Sequence, residues 1–192
     1  GKAGFITALY IVIVPLFRLF AGKKPAGKIW VSVAAAVAGL YLLSVKEGFS
    51  VGFGEFLIFL CSLAFAVHIL VVDHFSPKAD GVFLSCIQFF TAGAISWVLA
   101  FAFETPRIQD VAAAWLPVLY AGVMSCGVAY TFQVIAQKNT DPTVASLLLS
   151  LESVFSALFG WLILRQVLAP KELFGCAVVF GGVILAQLPE KK

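Results

Sequence analysis

Seven long apolar runs, separated by short polar breaks, constrain this chain more than any other feature. They cover roughly residues 3–21, 29–44, 55–72, 82–103, 113–136, 143–164 and 173–188. A helix needs about 20 mostly apolar residues to cross the hydrocarbon core of a bilayer, and the runs approach or reach that length. Backbone N–H and C=O groups in lipid must be satisfied within the spanning structure, which leaves helices and closed barrels. A barrel strand needs only about 10 residues, with alternating polarity, so these runs are helices. The expected fold class is all-α: a polytopic membrane helix bundle of about seven transmembrane helices. Composition agrees. Apolar residues make up 61% and charged residues 12%, against about 45–50% and 25% in a soluble domain. A soluble fold could not be clothed in so few polar residues.

The breaks hold the turn formers and most of the charges. They include Gly22-Lys23-Lys24-Pro25, Lys46-Glu47-Gly48, Asp73 to Asp80 with Pro77, Glu104-Thr105-Pro106-Arg107, Lys138 to Pro142, and Arg165 to Pro170. Seven crossings place the termini on opposite faces. One face then carries Lys23, Lys24, Lys28, Lys78, Lys138, Lys191 and Lys192, with Arg18 nearby; the other carries Lys2, Lys46, Arg107, Arg165 and Lys171. The positive-inside rule puts the first face and the C-terminus in the cytoplasm. No basic run interleaves with aromatics, so no nucleic-acid partner is expected. Cys61, Cys86, Cys126 and Cys176 each fall inside an apolar run without a CxxC pair and read as packing residues, not a metal site. The first run is no signal peptide, since its positive charges follow it and no small-residue cleavage site closes it. The chain opens inside an apolar stretch, which suggests a fragment whose earlier helices are missing.

A weak internal repeat is present. Ala26-Gly-Lys28, followed by a helix with Gly39 and Leu42, resembles Ala169-Pro-Lys171, followed by a helix with Gly182 and Leu185, at a constant offset. The preceding runs then also correspond. Five spans separate the copies, so they have opposite orientations. Inverted repeats are a signature of secondary transporters, whose substrate site lies near the midplane between the halves.

Longer motifs carry a family resemblance. Ala129-Tyr-Thr-Phe-Gln133, Ala136-Gln137-Lys138, Asp141-Pro-Thr-Val-Ala145 through Glu152-Ser-Val-Phe155, and Gly175 through Leu185 resemble the end of an EamA-type transporter of the drug/metabolite transporter superfamily. Phe5-Ile-Thr-Ala-Leu-Tyr10 through Val14-Pro15-Leu16 resembles the fourth helix of that family. The resemblance implies ten helices in two inverted five-helix repeats. Residues 1–44 would be the last two helices of the first EamA repeat, and residues 52–188 the second repeat of five. It also implies a cytoplasmic C-terminus, and a bacterial cell membrane is the expected setting. Two departures weaken any transfer of mechanism. Glu152-Ser153 stands where the family usually has Glu-Pro, and Arg165-Gln166 where it often has Gly-Glu.

Several polar residues lie inside the runs, where an ionisable or hydrogen-bonding group is costly and usually faces the bundle interior. Glu152 is the sharpest: a proton-coupling or cation-binding carboxylate, or a structural one paired to a neighbouring helix. Ser146, Ser150, Ser153, Ala157 and Gly160 form a small-residue stripe on the same run, suited to close packing. Gln88 shares a face with Ser85, Ala92 and Ser96, and Tyr130 and Gln133 share one with Cys126 and Gln137. These amides and the phenol read as substrate contacts or interhelical hydrogen bonds. Tyr10 and Thr7 can face a cavity, and His68 is a proton relay or a satisfied buried imidazole. Pro15 frees the Ile11 carbonyl and kinks its helix. Arg18 can snorkel to the headgroups.

The function expected is a secondary transporter, a permease or exporter of small organic metabolites, working by alternating access. The expected partners are a small-molecule substrate and the lipid bilayer; a homodimer is a compatible assembly, and no cofactor is called for. A membrane-embedded enzyme would need a nucleophile with a base, or a metal cluster. Ser125 lacks the leading glycine of an intramembrane serine protease motif, and both histidines lie elsewhere. A seven-helix receptor is the other alternative, but the last run has no mid-span lysine for a Schiff base and the loops are very short.

Overall fold

The computed structural model describes residues 2–44, 52–165 and 167–188. Lys46, Glu47, Gln166, Lys191 and Lys192, which enter the charge and motif readings above, lie outside the described residues. The helices are α1 (Lys2–Thr7), α2 (Tyr10–Phe20), α3 (Gly27–Ser44), α4 (Phe53–Phe75), α5 (Gly81–Phe103), α6 (Ile108–Ala113), α7 (Trp115–Tyr120), a π-helical segment (Ala121–Tyr130), α8 (Thr131–Gln137), α9 (Pro142–Leu149), α10 (Leu151–Leu164) and α11 (Pro170–Gln187). No strand occurs among the described residues. They assemble seven membrane-capable helical spans: Ala3–Phe20, Gly27–Ser44, Phe53–Phe75, Gly81–Phe103, Trp115–Gln137, Pro142–Ile163 and Pro170–Gln187. Each matches one of the seven apolar runs to within a few residues.

The ends of the spans are set by local chemistry. Asp80 caps α5, its carboxylate accepting the Phe83 N–H at 3.0 Å. Asp141 caps α9 through the Thr143 N–H at 2.9 Å, with Pro142 at the first helical position, where its missing N–H would have had no partner anyway. Three spans are not continuous α-helices. Between α1 and α2 the bonding tightens to i→i−3, as Leu9 N–H meets the Ile6 carbonyl at 3.1 Å and Ile11 N–H the Ala8 carbonyl at 3.1 Å. Ser150 separates α9 from α10. Its hydroxyl donates to the Leu147 carbonyl at 2.6 Å, and Ser146 does the same to Thr143 at 2.8 Å. Serine hydroxyls that bond back to the preceding turn bend a helix. In the fifth span the Ala121–Tyr130 segment is π-helical, which adds residues to each turn.

Two compact units result: Gly1–Val71 with Asp141–Lys192, and Val72–Thr140. The core of the first is built from Ile11, Val14, Leu40, Ile69, Leu147, Val154 and Val179, all essentially inaccessible. Its tightest contact is between α3 and α11, which run antiparallel. A Cβ added at Gly175 would lie 2.7 Å from the Gly39 carbonyl oxygen and 2.9 Å from the Leu43 nitrogen. One added at Gly182 would lie 2.9 Å from the Ser32 carbonyl oxygen. Glycine is required here by the approach of backbone to backbone. In the second unit α5 packs on α8, with Gly81 against Ile135. Phe90, Trp97 and Phe101 of α5 are exposed. Exposed aromatic rings are a liability in water and ordinary on a surface that meets lipid.

Candidate functional site

In the first unit, α1, α2, the end of α3, α10 and the start of α11 enclose a cavity of about 430 Å³. That volume suits a small organic molecule, since ligand pockets run from about 300 to 1,000 Å³. Its lining is unusually polar for a membrane-spanning bundle: Thr7, Tyr10, Ser44, Glu152, Ser153, Ser156 and Glu172, with Gly4, Ala8, Leu43, Ala157 and Leu168 completing the wall. Among the described residues, no lysine, arginine or histidine lines it. The cavity sits at the two helix breaks. Glu152 lies in the first turn of α10, just past Ser150, and Tyr10 opens α2.

Glu152 is exposed to this cavity, not buried as its place in the run suggests. The bend at Ser150 turns the start of α10 so that the carboxylate opens on water-accessible space. Ser153, expected to serve helix packing, also faces the cavity, as does Ser156. Tyr10 is 4% exposed, and its ring meets Phe65 edge-on at 4.9 Å. Phe65 in turn stacks on His68 at 5.8 Å. His68 therefore stands behind the cavity wall and not in it, with Nε2 buried and unpartnered. Thr7 donates its hydroxyl to the Ala3 carbonyl at 3.0 Å, so it presents only lone pairs to the cavity. Glu172 was missed in the sequence. Its carboxylate accepts the Ala169 N–H at 2.7 Å, closing the first turn of α11. A glutamate three residues into a helix is a common start signal, which hides any second role.

Gln88, Tyr130 and Gln133 belong to the second unit. Gln88 and Gln133 are half-buried and Tyr130 is 37% exposed. Gln133 donates its amide to the Gln137 side chain at 3.2 Å, within its own helix. Gln137 is buried. The α-helical spacing that placed Cys126 on the face of Tyr130 is not the spacing of the π-helical segment both occupy.

At the far end of the first unit from the cavity the helices are shut. Ile11, Val14 and Leu147 are fully buried. Beyond them Arg18 forms an ion pair with Asp141 and bonds the Thr143 hydroxyl at 3.1 Å. The Arg18 guanidinium turns to the carboxylate that caps α9.

Seven membrane-capable helices mark a multi-pass membrane protein, and its first unit holds a polar cavity of solute size. Residues 52–188 match the EamA-like transporter family, and the chain belongs to that family. It is 32% identical over 188 residues to an uncharacterized transporter of Archaeoglobus fulgidus, covering 97% of this chain and 60% of that relative's length. A solved crystal structure superimposes with a TM-score of 0.82 at 20% identity, over 97% of this chain and 66% of the other, and so shares its fold.

Proposed function

We propose that the chain is part of a secondary transporter that carries small organic metabolites by alternating access, with Glu152 and Tyr10 in the substrate-contacting wall. The observation that carries this reading is the polar cavity of about 430 Å³, open at one end of a unit whose other end is sealed. The repeat relation supports it further. The constant offset that carries Ala26 onto Ala169 carries Gly39 onto Gly182 and Ser32 onto Gly175. The close pairs Gly39–Gly175 and Ser32–Gly182 therefore exchange under it, as expected for a two-fold between inverted repeats. The same offset carries the Ala8–Leu9 break onto Leu151–Glu152, beside the break at Ser150. In this reading residues 1–44 end the first repeat of a ten-helix protein and residues 52–188 form the second. A transporter with one end open and the matching end closed is in one of two states, and the other state exchanges them. His68 is proposed to support Tyr10 through Phe65, and Gln88, Tyr130 and Gln133 are proposed as substrate-contacting residues of the second unit, taken by itself.

In liposomes bearing the full-length protein, Glu152→Gln is expected to abolish saturable uptake, or its dependence on pH, while the protein still inserts and purifies as a folded species. Unchanged uptake with an unchanged pH profile refutes a role for Glu152 in transport. The orientation is also proposed: the lysine-rich face, with Lys23–Lys28 and the C-terminus, is cytoplasmic. Single cysteines in the 23–28 loop should be labelled by impermeant maleimide only after the membrane is opened. Those in the 104–110 loop should react in intact cells.

A further inference from the structure

We infer that the cavity takes a substrate with a cationic, ammonium-type head group, and that Glu152 is its counter-charge. This deepens the transporter reading and rests on it. Glu152 lies within a membrane-spanning segment, yet it has no ion pair or hydrogen bond among the described residues. A carboxylate in such a place is costly unless a cation or water answers it, and intramembrane carboxylates usually come with a named partner. Among the described residues the wall supplies none, because no described lining residue is basic. Water answers the carboxylate in the open cavity, and a cationic group that enters there would meet it as a counter-charge.

The rest of the wall fits an ammonium group and does not fit an anion. An ammonium needs acceptors for each of its N–H bonds. Thr7 has spent its hydroxyl proton on the Ala3 carbonyl, so it offers lone pairs only. The hydroxyls of Ser153 and Ser156 lie on α10 with Glu152, on the same cavity wall. Tyr10, whose ring meets Phe65 edge-on, also lies on this wall. A carboxylate or phosphate substrate would meet the charge of Glu152 with no arginine or lysine among the described lining residues to offset the repulsion, only the partial charge at the starts of α2 and α10. The Leu43, Ala157 and Leu168 side chains leave room for an apolar body behind the charged head.

The test uses the purified full-length protein and probes that differ in head charge. Tyramine and tetraethylammonium are cations; tyrosol is tyramine's neutral counterpart; 3-(4-hydroxyphenyl)propionate is an anion of similar shape. A ligand that binds only the folded state raises the unfolding midpoint. At least one of the two cations is expected to raise it by about 4 °C near saturation, and to be taken up by liposomes bearing the protein. Tyrosol and the propionate should do neither. Glu152→Gln should lose the cation shift, and Glu152→Asp should retain part of it. If tyrosol or the propionate shifts the midpoint as much as the cations, or is transported in their place, the cation inference falls and the transporter reading stands. If none of the four probes binds or moves, both fall. Should Glu152→Gln fail to fold, the contrast among the probes on the unaltered protein still decides the matter.

Discussion

Gly175→Ala, made in the full-length protein, is expected to leave little folded transporter in the membrane. The added methyl carbon would stand 2.7 Å from the Gly39 carbonyl oxygen and 2.9 Å from the Leu43 nitrogen, both backbone atoms of the facing helix. A clash with the end of a flexible side chain relaxes cheaply, whereas one with a helix backbone forces the two axes apart. Overpacking of this kind costs about 3 kcal/mol, and separating α3 from α11 also loosens the contacts of Leu40 and Val179 in the core. Gly39→Ala meets the mirror of the same obstacle, with the Gly175 oxygen at 2.7 Å and the Val179 nitrogen at 2.8 Å. The control lies one residue from the seam. Gly181 neighbours Gly182 on α11, but a methyl group there has nothing within 4 Å. Gly181→Ala should therefore purify and unfold like the parent. Fluorescence-detected size exclusion and thermal unfolding in detergent would read the series. Equal behaviour of Gly175→Ala and Gly181→Ala would show that the seam is not the constraint described here.

That seam marks where sequence reading succeeds and where it stops. Hydropathy located all seven spans, because a bilayer imposes one length and one polarity on every crossing segment. Caps were equally readable. Asp80, and Asp141 followed by Pro142, are local signals whose meaning does not depend on the rest of the fold. The breaks within spans were not legible. A run of apolar residues looks the same whether its backbone bonds reach back three, four or five positions, and Ser146 and Ser150 read as packing residues although their hydroxyls bond back to the preceding turn. Glu152 and Tyr10 stood out because a polar group in an apolar run is conspicuous, and both line one cavity. Glu172 escaped because its local role as a helix-start acceptor was sufficient explanation. The Arg18–Asp141 pair escaped for a different reason. Its partners are 123 residues apart, and no periodicity links them.

That pair should control which end of the bundle opens. Asp141→Asn is the informative change, because asparagine caps a helix about as well as aspartate. The bond to the Thr143 N–H survives, and the charge facing Arg18 is lost. Arg18 is 16% exposed and Asp141 44%, so the pair lies between the exposed case, worth less than about 1 kcal/mol, and the buried case, where removing one partner costs 3–5. An intermediate 1–2 kcal/mol changes the ratio of two states by roughly 5- to 30-fold. If the seal at Arg18 must part for the cavity to face the cytoplasm, both Asp141→Asn and Arg18→Gln should move the protein toward the cytoplasm-open state. A maleimide-reactive S156C in the cavity wall reports this directly, as labelling above that of the parent chain. Its rate from outside should fall by about tenfold and its rate from inside should rise. Exchanging the charges, Arg18→Asp with Asp141→Arg, should restore much of the original ratio, because the attraction does not depend on which helix carries which sign. A pair that only stabilised the fold would give a different pattern: all three variants would lose thermal stability, and the ratio of outside to inside labelling would not move.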